Sequence, residues 1–359
     1  MPEQTEFAQR RKRLFDVTGE RPPAFLVTGL PNVRYLSGFT GSNAALLLMR
    51  DRALLFTDPR YQIQAAQESD CELKISKGPL LGEVSTWIKR LKLRSVGFER
   101  NRISFEDFEQ LKENNSGIRL KAATGVVETL RMIKSAGEVA AIKTSVELNS
   151  RALEQALRHF RPSMSESDLA GEIEYRMRRL GADGPAFETI VASGARTALP
   201  HARPASRPIL RNELLLIDMG ATVAGYASDM TRTYAAGDLD SKKKRIYRAV
   251  LESQLAAVDA VKPGSSCASV DRAARGVLRG YGLERQFIHS TGHGLGLEIH
   301  ERPRVGRKEN TRLEVGMAIT IEPGVYIEGF GGVRIEDTVV VTPRGCEVLT
   351  RTPKELAVL

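Results

Sequence analysis

Four acidic side chains of this chain stand where a folded protein can least easily keep them, at the ends or in the middle of apolar, strand-forming runs. Leu214-Leu215-Leu216-Ile217 reads as a buried strand and ends in Asp218. Asp229 opens the run Asp229-Met230-Thr231-Arg232-Thr233, and Ala318-Ile319-Thr320-Ile321 leads straight into Glu322-Pro323-Gly324. Residues 333–341 place Glu336 inside a β-branched strand. Alternation along it puts Arg334 and Glu336 on one face and Asp337 on the other. Taken singly, each carboxylate suits a salt bridge or a turn. Buried together they repel, and a divalent cation is the usual remedy.

An imidazole source lies close at hand. The chain has only five histidines, and His289, His293 and His300 share one glycine-rich segment, His289-Ser290-Thr291-Gly292-His293-Gly294-Leu295-Gly296 onward. Its glycines discourage a helix and let the backbone approach a ligand closely. His201 lies in Leu199-Pro200-His201-Ala202, whereas His159 stands apart beside Phe160 and reads as a surface or capping residue. Oxygen ligands with one imidazole suit manganese, cobalt, iron or zinc better than they suit a structural zinc site.

At 359 residues, 42% of them hydrophobic and 27% charged, the chain is long enough for two domains with separate cores. Short apolar runs at 24–27, 44–49, 53–57, 72–75, 95–98 and 118–121 read as strands, with helices over 60–69 and 80–91 and Ser104 capping a third. Strands alternating with helices imply a covered, mixed sheet. Composition changes at 122–132, which sets a boundary near residue 130 between a domain over 1–130 and another over 131–359. Helices follow at 135–160 and 165–180, separated by Arg161-Pro162, with Ser165 and Asp168 able to form a capping box. Strands are expected at 186–193, 213–219, 221–227 and 230–235, helices at 242–261 and 266–281, and closing strands at 318–322 and 333–341.

No apolar run approaches the roughly 18 residues of a membrane span. The charged N-terminus lacks the apolar stretch of a secretory signal. Cys71, Cys267 and Cys346 are scattered, which suits reduced thiols and a cytoplasmic protein. The net charge of +9 is spread over short basic clusters on helical segments, without interleaved aromatics, so neither nucleic acid nor membrane is the expected partner.

These residues resemble the pita-bread metallopeptidases, specifically the aminopeptidase P and prolidase (Xaa-Pro dipeptidase) type. The matching strings are IDMGA, SDMTRTY, HSTGHGLGLEIHE, IEPGVY and VRIEDTVVVT, in the family's order; NVRYLSGFTGSNAALLL, LFTDPRY and VVETLRMIKSAGEVAAI match its N-terminal domain and linker. The resemblance implies an α/β (α+β) chain: a creatinase/prolidase-type mixed α/β domain followed by a pita-bread catalytic domain. It further implies a metal-dependent exopeptidase that cleaves the first bond of short peptides, chiefly Xaa-Pro bonds, and works as a homodimer. Two divalent ions, manganese foremost and cobalt, zinc or iron otherwise, would share a water that becomes the attacking hydroxide. By the same resemblance Asp218 binds one ion, Asp229 and Glu336 bridge both, and His293 and Glu322 complete the second. Glu322 also shuttles the proton, and His201 or His289 steadies the oxyanion. His300 holds substrate or assists the leaving nitrogen, and Arg334 orients Glu336. The alternatives are a relative without a strict proline requirement, methionine aminopeptidase, or a creatinase-like or binding protein. The long N-terminal region argues against methionine aminopeptidase, and the complete ligand set argues against the last group.

Overall fold

The computed structural model describes residues 5–17, 22–161 and 163–359. The chain forms two compact units, Met1–Arg131 and Met132–Leu359. The first is built on a six-stranded mixed sheet in the order Glu72–Ile75, Ala53–Thr57, Ala44–Met49, Ala24–Val27, Ser95–Glu99, Arg119–Ala123. Ala24–Val27, Ala44–Met49 and Ala53–Thr57 pair antiparallel, and the other strands join in parallel. Leu46-Leu47-Leu48 is buried at every position, as expected of a strand covered on both faces. Helix Leu80–Arg90 buries Leu81, Val84, Ser85 and Ile88, one stripe at helical spacing.

Local chemistry sets the element ends. The Ser104 hydroxyl accepts the Asp107 N–H and caps helix Phe105–Asn114. The helix expected over 60–69 begins later: Asp58 caps a tight 3-10 turn at Pro59–Tyr61, and the α-helix runs Gln62–Glu68. A helix that sequence patterning did not indicate, Leu30–Ser37, is short and proline-started. Just ahead of it the buried Glu99 carboxylate accepts the Thr28 and Gly29 N–H groups, which fixes the chain where it enters the helix.

In the second unit, capping boxes at Ser135/Glu138 and Ser165/Asp168 start the helices Ala136–Arg158 and Glu166–Arg179. Pro162, read above as part of the second start signal, lies outside the described residues. These helices bury Ala152, Leu169 and Ile173 against Val191, Leu215 and Ile217 of a three-stranded antiparallel sheet, Met230–Ala236, Glu213–Met219, Ile190–Ser193. Helices Ser241–Asp259 and Cys267–Gly280 cover a five-stranded sheet whose inner strands are Gly292–Gly294, Ala318–Ile321 and Asp337–Thr342. No helix of the described residues is long and apolar enough to cross a membrane.

Three expected strands are divided, each for a visible reason. The run at 186–193 starts only at Ile190; Gly184–Pro185 pairs elsewhere, and Pro185 brings no N–H to continue a ladder. Residues 221–227 form a tight hairpin, because Ala224 and Gly225 both adopt positive φ, 48° and 74°. The run at 333–341 breaks at Ile335-Glu336, so Glu336 lies between two strands rather than inside one. Gly331–Arg334 pairs with Gly324–Ile327, whereas Asp337–Thr342 pairs with Ala318–Ile321. At the break the Glu336 N–H leaves the ladder and donates to the Thr231 carbonyl at 3.1 Å.

Candidate active site

The break at Glu336 and the register of the neighbouring sheet bring the distant acids together. Thr231 stands opposite Asp218 in the antiparallel pair, and its hydroxyl donates to Glu336 Oε2 at 2.7 Å. Asp229 sits just ahead of the same strand, its carbonyl fixed by the Thr338 hydroxyl at 2.9 Å. Asp229, His293 and Glu336 converge with one ligand atom each inside a 4.8 Å span. Glu322 closes the group, since His293 Nε2 lies 3.5 Å from both Glu322 Oε1 and Asp229 Oδ2. Its own backbone is pinned by an N–H bond to the Thr291 carbonyl at 2.7 Å.

Arg334 spends four of its five guanidinium N–H groups within the protein. It donates to Asp218 Oδ2 at 2.5 Å, to the Thr231 hydroxyl at 3.1 Å, to the Tyr326 hydroxyl at 2.7 Å and to the Pro200 carbonyl at 3.2 Å. It therefore braces Asp218 directly and Glu336 through Thr231. Tyr326 in turn meets His289 Nε2 at 2.9 Å, while His289 Nδ1 lies 2.8 Å from the Ser290 carbonyl. A carbonyl only accepts, so Nδ1 carries the proton and Nε2 accepts from Tyr326. Gly324 makes room for this chain: a Cβ there would fall 2.4 Å from the Tyr326 hydroxyl. His300 stacks edge-on to His293 with centroids 4.5 Å apart. His201 is exposed, and the carbonyl of its neighbour Pro200 is held by Arg334.

Electrostatics mark the group as a cation site. Burial and the neighbouring carboxylates push Glu336 well above the usual range, and burial pushes Glu322 up. Burial likewise raises Asp229 to about 7. Burial disfavours a charged His293, yet Asp229 and Glu322 outweigh it and hold the ring up to about 9. Burial and Arg334 keep His289 neutral, down to about 4. His293 Nδ1 donates to the Gly294 carbonyl at 3.0 Å, which leaves Nε2 as the ring nitrogen turned toward the two carboxylates. Asp218 Oδ1 and Glu336 Oε1 are buried with no hydrogen-bond partner among the described residues. Buried acceptors without donors fit a divalent cation.

The description "Metallopeptidase family M24" matches residues 140–343, and "Creatinase/Prolidase N-terminal domain" matches residues 19–133. The chain belongs to metallopeptidase family M24. It is 39% identical over 326 residues to the Xaa-Pro dipeptidase of Pyrococcus furiosus, spanning 90% of this chain and 92% of that protein. Among solved structures, an Xaa-Pro dipeptidase from Bacillus anthracis is 39% identical, superposes with a TM-score of 0.94 and covers 99% of each chain. An X-Pro aminopeptidase from Thermotoga maritima reaches 0.91 at 36% identity, covering 98% of this chain and 100% of that one. The fold is thus a creatinase-type N-terminal domain followed by an M24 pita-bread domain. As a family member the chain is a hydrolase that acts on peptides and implies divalent metal ions.

Two members of the site were not singled out from the sequence. Thr231 and Tyr326 lie within the quoted strings SDMTRTY and IEPGVY, but a hydroxyl in a strand carries no spacing signal. Only the register opposite Asp218 and the approach to Arg334 reveal them.

Proposed function

We propose that the chain is a two-metal exopeptidase that hydrolyses the first bond of short peptides with proline after the cut, an Xaa-Pro dipeptidase or an aminopeptidase P. The carrying observation is the buried convergence of Asp218, Asp229, His293, Glu322 and Glu336, with two carboxylate oxygens left unpartnered. Those five side chains hold the ions, manganese foremost, with cobalt, zinc or iron as alternatives. Bound there, divalent ions acidify a shared water and polarise the scissile carbonyl.

The remaining roles fall to the chain itself. Glu322, held by its backbone bond to Thr291, takes the proton from the attacking water and returns it to the leaving nitrogen. His289 Nε2 is occupied by Tyr326, so the oxyanion donor is His201, whose ring is exposed and makes no such bond. His300, edge-on to His293, holds substrate or assists the departing nitrogen. Arg334 positions Asp218 and Glu336, and its four hydrogen bonds commit all but one of its five N–H groups to the protein itself. Proline after the cut supplies no N–H, so a site that asks for none accepts it. The names of the relatives carry the preference for proline. A cytoplasmic homodimer completes this reading.

A matched set of peptides tests it: Xaa-Pro, Xaa-Pro-Yaa, and both with alanine replacing proline, assayed with added manganese or cobalt and with Glu322→Ala as blank. Cleavage of the dipeptide alone makes the chain a dipeptidase, and cleavage of the tripeptide makes it an aminopeptidase P. Equal turnover of the alanine peptides removes proline from the description. Intact peptides throughout overturn the substrate class, and metal analysis finding no bound ion overturns the mechanism.

The raised carboxyl pKa values carry a second expectation. In chelated protein the folded state holds protons on Asp229, Glu322 and Glu336 more tightly than the unfolded chain does. That stability is present below ordinary carboxyl values and fades as pH rises toward about 7, the value reached by Asp229. Cation binding requires those protons to leave. The increase in Tm produced by manganese should therefore grow between pH 5 and pH 7. An increment that stays flat across this window counts against a carboxylate-held cation.

A further inference from the structure

The segment that carries His201 is long, turns through the short 3-10 helix Gly194–Ala198 and lies partly exposed, yet it is clamped from beneath by one buried carboxylate. Glu166, in the first turn of helix Glu166–Arg179, is 0% exposed. Its Oε1 accepts the Ser193 N–H at 2.8 Å and the Ser193 hydroxyl at 3.0 Å. Its Oε2 accepts the Ala205 N–H at 3.0 Å and Arg196 Nε at 3.0 Å. One side chain thus holds both ends of the segment, twelve residues apart, and a third point between them. The helix backbone reinforces the grip, with Ser167 N–H donating to the Ala205 carbonyl and Glu166 N–H to the Arg207 carbonyl.

Arg196 extends this clamp across the segment. With Nε on Glu166, its Nη2 donates to the Arg203 carbonyl at 2.6 Å and so brackets residues 197–202, His201 among them. On the far side Arg334 donates to the Pro200 carbonyl, next to His201 in sequence. A buried carboxylate with four good donors is stable only while those donors stay in place. Any drift of the segment leaves the charge unpaired, so the segment has one favoured arrangement.

We propose that Glu166, acting through Arg196, is a positioning residue that presets His201 toward the substrate carbonyl. The inference rests on the reading of His201 as oxyanion donor, and Glu166 itself touches neither substrate nor reacting atoms. The consequence is a loss in kcat that exists only while His201 is present.

The test is a double-mutant cycle in the metal-loaded enzyme, with the Xaa-Pro peptide it cleaves fastest as substrate. Glu166→Gln keeps the shape but brings an amide where an acceptor is needed. Because small misplacements of a catalytic group cost up to about 100-fold, it should lower kcat by about 10- to 100-fold, with metal content and KM little changed. In a His201→Ala background the same substitution should cost nothing further. Arg196→Met, which removes only the partly exposed bracket, should show the same non-additivity and serves if Glu166→Gln does not fold. Equal losses from Glu166→Gln or Arg196→Met with and without His201 would overturn the proposal, because they would show a general structural role. Unchanged kcat in the single variants overturns it as well. Full activity in His201→Ala alone removes the assignment of His201 and this inference with it, an outcome distinct from the other two.

Discussion

Glu322→Ala is expected to reduce kcat by about a thousandfold or more, the scale of losing a positioned acid/base group. The side chain stands where both tasks meet. Its Oε1 lies 3.5 Å from His293 Nε2 and its Oε2 lies 4.0 Å from His289 Nδ1, so the carboxylate spans the two histidines. Burial raises its pKa, which places its proton affinity nearer to that of a working base than an exposed glutamate would be. Measuring bound metal beside kcat separates the roles. Lost activity with metal retained assigns Glu322 to proton transfer, and loss of both assigns it chiefly to holding the ions. Activity within tenfold of the parent would contradict the mechanism.

A comparable effect, on stability rather than rate, is expected from Asp337→Ala. Asp337 faces away from the metal ligands and is 0% exposed. Its Oδ1 accepts from Arg232 at 2.8 Å, and its Oδ2 accepts from Gln254 at 2.8 Å and Lys354 at 2.7 Å. Arg232, 1% exposed, spends its other N–H groups on the carbonyls of Thr231, Glu336, Thr352 and Pro353. Removing the carboxylate strands the buried Arg232 guanidinium and takes one partner from the partly exposed Lys354, a change that costs about 3–5 kcal/mol. The C-terminal residues should loosen with it, since Ala235 and Leu359 pair through backbone bonds beyond the same cluster. Denaturant unfolding at fixed, saturating metal would read the loss, with metal fixed because bound ligand adds its own stability. The paired replacement Arg232→Met with Asp337→Leu should recover part of it, because the buried guanidinium is then gone and only the partly exposed Lys354 lacks its anion. A loss below about 1 kcal/mol in the single variant would show that water reaches the pair.

Much of the site was readable in one dimension because its chemistry breaks local rules. A carboxylate ending Leu214-Leu215-Leu216-Ile217, or set into a β-branched run, conflicts with burial, and a conflict of that kind points to function. The clustering of three histidines among five carried the same message. Helix starts at Ser104 and Ser165 were equally legible, since a cap is a contact between residues three apart.

What the sequence determined by itself, then, is which residues bear the chemistry and where most helices begin, because composition and short-range contacts decide both. Tertiary structure alone decided the rest. The break at Ile335-Glu336 exists because the Thr231 carbonyl, more than a hundred residues upstream, captures the Glu336 N–H. The tautomer of His289 follows from Tyr326 and Ser290, and the positioning role of Arg334 follows from its four partners. The hold of Glu166 on the segment bearing His201 is of the same kind. In the sequence Glu166 is one more acid in a helix start; in the fold it meets donors from both ends of a loop. Such partners are chosen by sheet register and loop closure, which depend on the packing of whole elements and leave no periodic trace along the chain.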